Sequence, residues 1–489
     1  MNPFYGLALI FVYFSILLAV SWYTARKESG TDAFFTANRN SKWYLVAFGM
    51  IGTSLSGVTF ISVPGMVKAA NFYYLQMVAG YMIGYFVIAN MLLPMYYRLN
   101  LVSIYTYLGT RFGYWSYKTG AGFFLLSRIL GSSARFFLVL SVLHLSIFEP
   151  FHIPFWLTVG IGLLLIWVYT YRGGMKTIII TDTLQTVCML AGVLASIVFL
   201  AGYLNLSYDR IPAFVRQNPF SDLVNTDISS KYFWLKQVLA GAFIAITMTG
   251  LDQDMMQKNL TCRSIAEARK NIYWFSFILL IVNVLFLVLG LFLYAYAGTA
   301  GVELPAKSDK LFPLLALHHF PVWLGIMFLM GIIAATYAST DSALTALTTS
   351  FCFDFLNFSQ LEEKIRGPLK LKVHLAMSGL VWVVVLFFNA FNEDSLIVTV
   401  FDLAGYTYGP LLGLYAMGLL TRIKPADSWV PWLSVLSMVF SFLLKTNSKW
   451  LFAGYEIGFE ILIINGLITF MALWISSFFQ KSDYQAETI

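Results

Sequence analysis

The sequence predicts an all-α polytopic membrane protein, and three observations support this prediction. Hydrophobic residues make up 59% of the 489 residues and charged residues only 11%, whereas soluble domains carry about 25% charged residues. Apolar runs of about 20 residues recur along the chain, which is the length that a helix needs to cross a bilayer. Glycine, serine and threonine interrupt two of these runs, which indicates broken helices around an enclosed cavity.

The apolar runs predict about 13 transmembrane helices in a single membrane transport domain, residues 1–489. The segments between the runs are too short to fold as separate soluble domains, and the longest of them are 98–119 and 205–233. The predicted spans are 4–23, 43–68, 73–97, 120–147, 154–170, 177–204, 234–257, 271–299, 320–351, 371–390, 393–420, 429–444 and 457–479.

The basic residues predict the orientation of the chain, because cytoplasmic loops are enriched in Lys and Arg. With the N-terminus outside, most of the 31 Lys and Arg residues fall on the cytoplasmic side, among them Lys42, Lys258, Arg263 and Lys270. We therefore expect a plasma-membrane protein with its N-terminus outside and its C-terminus in the cytoplasm. The net charge of +7 then reflects topology and not nucleic-acid binding.

Two of the predicted spans contain a polar break. The first falls in IGTSLSGVTF (51–60) and the second in TMTGLDQDMMQ (247–257). Five predicted spans run from the first break to residue 204, and five more run from the second break to residue 420. Paired breaks at matching positions of two halves are typical of an inverted-repeat transporter that binds its substrate near the bilayer midplane.

Carboxylates within the predicted spans mark a candidate cation site. Asp182 and Asp341 lie in apolar runs, where an ionisable side chain is costly and usually functional. Small and hydroxyl residues share one helix face beside Asp341. The residues of this face are Ala335, Ala338, Ser339 and Ser342. Na⁺ prefers such oxygen ligands together with the carbonyls of a broken helix, although a stripe of small residues also serves close helix packing.

Two arginines lie seven residues apart in one predicted span. Arg128 is close enough to the cytoplasmic end for its guanidinium to reach the interface, and this is the expectation for it. Arg135 begins about 22 Å into the span at about 1.5 Å per residue, and at this depth its guanidinium cannot reach the interface. It must contact either a buried carboxylate, Asp252 or Asp402, or an anionic substrate, and the sequence leaves both open.

Five segments, two of which contain the breaks, occur in the order typical of one family. They are IGTSLSGVTFISVPG (51–65), YRGGMKTIIITDTLQ (171–185), GLDQDMMQKNL (250–260) followed by AEARK (266–270), ASTDSALTALTTSFCFDF (338–355) and GPLLGLYAMGLLTR (409–422). From about residue 30 to 425 the chain thereby resembles the sodium:solute symporter family, which includes sodium/galactose and sodium/sialic acid symporters.

The resemblance implies a five-plus-five inverted repeat of the leucine-transporter type. Residues 43–204 and 234–420 are the expected repeats, 4–23 is an extra N-terminal helix, and 429–479 holds two extra C-terminal helices. The expected function is sodium-coupled symport of a small polar solute by alternating access.

The resemblance also implies where sodium binds. The site shared by the family uses carbonyls of the first broken helix with carbonyls and hydroxyls of a later core helix. The corresponding residues are Gly52, Leu55, Ala335, Ala338 and Ser339, with Ala338 standing where many members have a hydroxyl. Sialic acid symporters have a second sodium site. The corresponding residues are Asp182, Asp341 and Ser342, with Asp341 in place of a serine. Na⁺ is thus the expected coupling ion, one or two per cycle.

For the substrate, the resemblance favours an acid. Positions that bind sugar in the galactose branch hold Val78 and Phe401 here. The sialic acid branch uses hydroxyls of the first broken helix and an arginine. The predicted substrate-site residues are Ser54, Ser56, Thr59, Gln76, Arg135 and Asp252. An acidic sugar such as sialic acid, or another small carboxylate, is the leading prediction, and a neutral sugar or polyol is the alternative.

Other functional classes fit the sequence less well. A membrane-integral enzyme needs a nucleophile–base pair or a metal cluster within the membrane, and the pattern of residues indicates neither. A channel needs a continuous pore, whereas paired breaks enclose a site. The expected partners are a small solute, Na⁺ and the lipid bilayer, for a protein that functions as a monomer.

Overall fold

The computed structural model describes residues 3–25, 35–391 and 396–479, without side-chain detail for 171–173, 391, 396 and 397. Within these ranges the secondary structure is helical, apart from an isolated bridge that pairs Ser41 with Cys262. The predicted all-α fold class is confirmed.

We number the main helices α1 to α15 in chain order. They are α1 (Pro3–Ala25), α2 (Trp43–Ser54), α3 (Gly57–Gly65), α4 (Tyr74–Arg98), α5 (Tyr114–Leu143), α6 (Phe155–Thr170), α7 (Gly174–Tyr203), α8 (Trp234–Gly250), α9 (Gln253–Asn259), α10 (Ile265–Thr299), α11 (Val322–Ser350), α12 (Glu363–Phe391), α13 (Leu396–Leu420), α14 (Val430–Thr446) and α15 (Ile461–Ser477). Shorter connecting helices are Val67–Ala70, Thr106–Arg111, Ile211–Gln217, Leu311–Leu314 and Ser448–Leu451.

The helices have the length and composition of membrane spans. Among the described residues, eight helices pass this test, or ten if each of two bent helix pairs is one span. The helices α6 and α15 are apolar but shorter. The count of thirteen spans and the two repeat bounds stay predictions, and the predicted span 393–420 begins at residues that lie outside the described ranges.

Both predicted helix breaks are confirmed. Between α2 and α3 the chain bends by 58° and between α8 and α9 by 69°. Leu55 leaves the helical region with φ −88° and ψ 71°, and Ser56 is extended. At the second break the Asp252 carboxylate accepts hydrogen bonds from two backbone N–H groups at the start of α9. Such a cap satisfies donors that a helix start leaves free.

Helices α5, α10 and α12 begin six to eight residues earlier than hydropathy predicts, and in α5 a distant side chain caps the start. Helix α5 begins at Tyr114 and not at residue 120. The Asp427 carboxylate accepts hydrogen bonds from the N–H groups of Trp115 and Ser116 at 2.9 and 2.8 Å. An apolar window detects the membrane-embedded part of a helix and not a polar first turn stabilised in this way.

Helix α11 lies at the centre of the bundle and brings the first break against the neighbouring helices. Every residue from Gly331 to Ser350 is buried, and α11 packs against α2, α5 and α7. Helix α2 also packs against α7 and α10. The break that ends α2 is therefore enclosed by helices and does not face lipid.

Candidate functional site

The first helix break leaves two backbone carbonyls free. In the described part of the chain, neither the Gly52 oxygen nor the Leu55 oxygen accepts a backbone hydrogen bond, as expected where a helix is interrupted. Gly52 packs closely between two helices. A β-carbon there would lie 3.3 Å from the carbonyl oxygen of Asp182 on α7 and 3.5 Å from the β-carbon of Ala338 on α11. Gly52 therefore lies next to Ala338, one of the predicted sodium ligands of α11.

The second break has its carbonyls satisfied instead. The Tyr96 hydroxyl donates to the Gly250 oxygen at 2.8 Å, and the Tyr105 hydroxyl donates to the Leu251 oxygen at 3.0 Å. Buried carbonyls that already accept hydrogen bonds are less available to an ion. The contrast favours the first break as the candidate cation site.

The predicted sodium ligands on α11 lie against the first break. Ala335, Ala338 and Ser339 are all buried, and the Thr53 hydroxyl lies 3.3 Å from the Ala338 carbonyl oxygen. The Ser339 hydroxyl donates to the Thr336 oxygen of its own helix at 2.9 Å, which leaves the hydroxyl lone pairs available as ligands. The structure thus brings the break and this face of α11 together.

Each of the three residues predicted for a second sodium site has a protein partner. Asp182 Oδ2 accepts from Lys258 Nζ at 2.5 Å, and Asp341 Oδ2 accepts from the Tyr169 hydroxyl at 2.5 Å. The Ser342 hydroxyl donates to a carboxylate of α9. Within the described ranges, no hydrogen bond joins Asp182 directly to Asp341 or Ser342.

Lys258 lies in the interior of the bundle, so its assignment to the cytoplasmic surface was wrong. Its side chain is 0% exposed, and its ammonium group contacts both Asp182 and the Thr53 hydroxyl. Lys258 follows the predicted span 234–257 directly in sequence, but the 69° bend at the second break turns α9 back into the bundle. The sequence carries one indication that Lys258 lies among carboxylates. Asp254 is four residues earlier and shares a helix face with it.

Arg128 forms ion pairs and does not reach the interface, so the expectation for this residue was also wrong. Its guanidinium contacts Asp254, and its Nη1 lies 3.5 Å from Asp252 Oδ2. The Tyr408 hydroxyl donates to the same Asp252 oxygen at 2.5 Å. The two aspartates come from the second break, more than a hundred residues later in the chain, and local hydropathy does not reveal that contact.

A cavity of about 100 Å³ lies between the two broken helices. Four predicted substrate residues line it, namely Ser54, Ser56 and Thr59 at the first break and Arg135 on α5. Three tyrosines of α4 complete one wall. These are Tyr74, Tyr81 and Tyr85. The tyrosines are not among the predicted site residues, and their spacing of seven and four along one helix face is the signal that the sequence carries for them.

Two predicted substrate residues do not line this cavity. Asp252 is fully buried and engaged by Arg128, Tyr408 and the start of α9. Gln76 is buried, and neither polar atom of its amide has a hydrogen-bond partner in the part of the chain that the structure describes. The structure therefore brings four of the six predicted residues together.

Arg135 lines the cavity without an ion-pair partner among the described residues. The two carboxylates considered for it are paired elsewhere, Asp252 with Arg128 and Asp402 with Lys445. A guanidinium offers planar paired donors that match a carboxylate. A free guanidinium beside hydroxyls is therefore suited to an anionic ligand.

A broken helix with free carbonyls, an adjoining face of small and hydroxyl residues and an enclosed polar cavity within a membrane bundle define a cation-coupled secondary transporter. Residues 34–419 match the model of the sodium:solute symporter family. The chain belongs to this family, and it is a sodium-coupled symporter of a small solute. The predicted symporter class is confirmed, and it is a class of transporters and not of enzymes.

Known proteins similar to this chain include two bacterial transporters. The chain is 25% identical over 482 residues to the sodium/sialic acid symporter NanT of Aliivibrio fischeri, covering 94% of this chain and 92% of that protein. It is 23% identical to the sodium/sialic acid symporter SiaT of Proteus mirabilis, with 95% of each chain covered. A solved substrate-bound, outward-open structure of a Na⁺-coupled sialic acid symporter superposes with a TM-score of 0.81 at 18% identity, covering 97% of this chain and 98% of that one. This likeness establishes the shared fold.

Proposed function

We propose that this chain imports an organic acid, in particular sialic acid or a similar acidic sugar, together with Na⁺ by alternating access. The observation behind this proposal is the unpaired guanidinium of Arg135 in a cavity lined by hydroxyls. The substrate named for two relatives of similar length agrees with it. A neutral sugar or polyol would leave this guanidinium without a counter-charge.

The cavity supplies donors that suit a carboxylated sugar. Arg135 would hold the carboxylate through two parallel hydrogen bonds. The hydroxyls of Ser54, Ser56 and Thr59 would bind the remaining polar groups, since each can donate and accept. Gln76 and Asp252 lie outside the cavity lining, and a direct role for them stays a prediction.

Two sodium ions are proposed to drive each cycle. The first site consists of the free carbonyls of the first break and the adjoining face of α11. Its residues are Gly52, Leu55, Ala335, Ala338 and Ser339. The second consists of Asp182, Asp341 and Ser342. Asp182 Oδ1 supports it, because this buried oxygen has no hydrogen-bond partner within the described ranges.

We further propose that the protein functions as a monomer in the plasma membrane, with its N-terminus outside and its C-terminus in the cytoplasm. Lys258 is buried and does not count toward the charge bias, but exposed basic residues still follow α9, among them Arg263 and Lys270. Their position favours a cytoplasmic location for this connection.

Uptake into proteoliposomes tests the proposed function. Purified protein is reconstituted, and radiolabelled sialic acid is added outside with an inward gradient of either Na⁺ or choline. We expect accumulation above equilibrium with Na⁺ only. Excess unlabelled sialic acid should block uptake, and a neutral hexose should not.

Two outcomes would overturn the proposal. Uptake that is equal with Na⁺ and choline would contradict sodium coupling. Sodium-driven uptake of labelled hexose, with no uptake of sialic acid or of a panel of small carboxylates, would favour the neutral-sugar alternative.

A further inference from the structure

A buried lysine holds one carboxylate of the proposed second sodium site. Lys258 Nζ lies 2.5 Å from Asp182 Oδ2, and both side chains are 0% exposed. The same ammonium contacts the Thr53 hydroxyl, and Thr53 directly follows Gly52 of the proposed first site. A positive group of the protein therefore occupies the space next to both proposed sodium sites.

The charges at this point balance only with a further cation or with a proton on one of the carboxylates. Asp182 and Asp341 contribute two buried carboxylates, and Lys258 contributes one positive charge. Asp341 accepts hydrogen bonds only from neutral groups among the described residues, the Tyr169 hydroxyl and the Ser342 N–H. Buried charges are normally paired, so the cluster has capacity for one more positive charge.

All three proposed ligands of the second site have a protein partner in this structure. Asp182 holds Lys258, Asp341 holds Tyr169, and Ser342 donates to Asp254. A sodium ion that uses both oxygens of Asp182 must displace Lys258 from Oδ2, whereas Asp182 Oδ1 and the lone pairs of the Ser342 hydroxyl are already available among the described residues. Lys258 has an alternative partner on its own helix, because Asp254 lies four residues earlier on the same face, an arrangement in which acidic and basic side chains attract.

We propose that Lys258 is a tethered cation that exchanges with sodium at Asp182. When the second sodium binds, Lys258 leaves Asp182 for Asp254, and the ion takes the place of the ammonium at the Asp182 carboxylate. When sodium leaves, the ammonium returns. This inference rests on the proposed second sodium site and adds a competitor for it.

The exchange has a role in the transport cycle. After release of solute and sodium, a symporter must return empty, and a buried carboxylate without a counter-charge opposes that step. Lys258 keeps Asp182 paired in the empty protein. Its flexible four-carbon side chain suits it to move between two carboxylates on a short path.

Sodium binding to purified protein is the first test, with ²²Na⁺ as the probe and no solute present. Lys258→Met removes the competitor, so the half-saturating Na⁺ concentration should fall by about tenfold, the change that corresponds to 1.4 kcal/mol. Lys258→Arg should raise it, because a guanidinium holds a carboxylate through two hydrogen bonds. Lys445→Met removes a lysine from another ion pair, that with Asp402, and should leave sodium binding unchanged.

Transport in proteoliposomes is the second test, with labelled sialic acid as the probe. Exchange of internal for external solute at saturating Na⁺ needs no empty return step, whereas net uptake does. Lys258→Met should therefore keep exchange within about twofold and lose net uptake by about tenfold, the change that corresponds to 1.4 kcal/mol in the barrier of the return step.

The outcomes separate this inference from the proposed function. Unchanged sodium binding in both Lys258 variants, or equal loss of exchange and net uptake in Lys258→Met, would overturn the inference and leave a merely structural ion pair. If Lys258→Met does not fold, the direction of the shift in Lys258→Arg decides. If wild-type protein binds no sodium, or if its exchange of internal for external solute does not depend on sodium, the proposed function is contradicted instead.

Discussion

Ala338 is the residue at which the proposed first sodium site departs from the pattern that the family resemblance implies. It is fully buried and lies next to Gly52, where the resemblance implies a hydroxyl ligand in many family members. We expect Ala338→Ser to lower the half-saturating Na⁺ concentration by about tenfold, since one added ion–dipole ligand contributes at least as much as a charge-assisted hydrogen bond of about 1.5 kcal/mol. The sodium dependence of uptake measures this change.

Ala343 on the same helix provides the matched control for that substitution. It is buried to the same degree but lies five residues further along, on a different face. Ala343→Ser should leave the sodium dependence unchanged. A higher half-saturating Na⁺ concentration in Ala338→Ser than in the wild type would contradict the proposed ligand position.

Arg135 decides the class of substrate. If it binds the solute carboxylate, Arg135→Lys loses the bidentate geometry, and binding of sialic acid should weaken by about a hundredfold, which corresponds to about 2.7 kcal/mol. The thermal stability of the empty protein should hardly change, because the side chain has no ion-pair partner to lose among the described residues.

The carboxylate itself can be removed as a control for Arg135. A methyl ester of the solute should bind about as weakly to wild-type protein as sialic acid binds to Arg135→Lys, and the two losses should not add, because they remove the same contact. Additive losses, or an unstable empty variant, would count against the proposed contact.

Residues in the membrane interior also mark where sequence reasoning succeeds and fails. The free carbonyls of Gly52 and Leu55 follow from a break that the local sequence reveals through glycines and hydroxyls. The partners of Arg128 and Lys258 do not, because both depend on how the second break aims α9 into the bundle. Depth along a helix can be estimated from the sequence, but a partner on a distant helix cannot.

At the scale of helices, α4 and α8 approach each other closely at two glycines. A β-carbon at Gly241 would collide with the backbone oxygen of Met77, and one at Gly80 would collide with that of Val238. We expect Gly241→Ala to destabilise the protein by about 1–3 kcal/mol through overpacking, which exceeds the gain of up to about 1 kcal/mol in helix propensity. Thermal unfolding in detergent without Na⁺ measures the difference.

Gly379 on α12 is the control for that helix contact. Among the described residues, no neighbouring atom lies within 4 Å of the β-carbon it would gain, so Gly379→Ala should leave stability unchanged or raise it slightly through helix propensity. If both alanine variants had equal stability, the close approach of α4 and α8 would not depend on glycine.

Helix breaks and helix starts differ in how far the sequence predicts them. Both breaks were found, because glycine and hydroxyl residues interrupt an apolar run within a few positions. The start of α5 was misplaced, because its cap is supplied by Asp427 from a segment more than three hundred residues later. Local composition therefore predicts the membrane-embedded part of a helix better than its ends.

At the scale of the whole molecule, one chain of polar contacts joins four helices across the bundle. Ser342 on α11 donates to Asp254 on α9, which pairs with Arg128 on α5, and Arg128 pairs with Asp252 at the second break. Tyr408 on α13 completes the chain. Alternating access requires the two repeats to move relative to one another, and such paired contacts can hold one arrangement until the ligands favour another.

The number of sodium ions determines how far an acidic solute can be concentrated. At a tenfold sodium gradient and 100 mV, each Na⁺ supplies roughly 3.7 kcal/mol, and a monovalent anion loses roughly 2.3 kcal/mol against the potential. One sodium then supports about tenfold accumulation of the anion, and two support several thousandfold. Two ions per anion also move one net positive charge inward.

We therefore expect uptake of sialic acid by the wild-type protein to be electrogenic. An inside-negative potassium diffusion potential should accelerate it, and accumulation under fixed gradients should exceed about tenfold, the limit for one sodium. Asp341→Ala removes one carboxylate of the proposed second site, so accumulation should fall to that limit and the dependence on potential should disappear, while some sodium-dependent uptake remains. Ser434→Ala, a buried hydroxyl on α14 away from the site, should behave as wild type. Equal accumulation and equal potential dependence in Asp341→Ala and wild-type protein would mean that the second cation does not bind at this carboxylate, because the stoichiometry would then be independent of the residue proposed to set it.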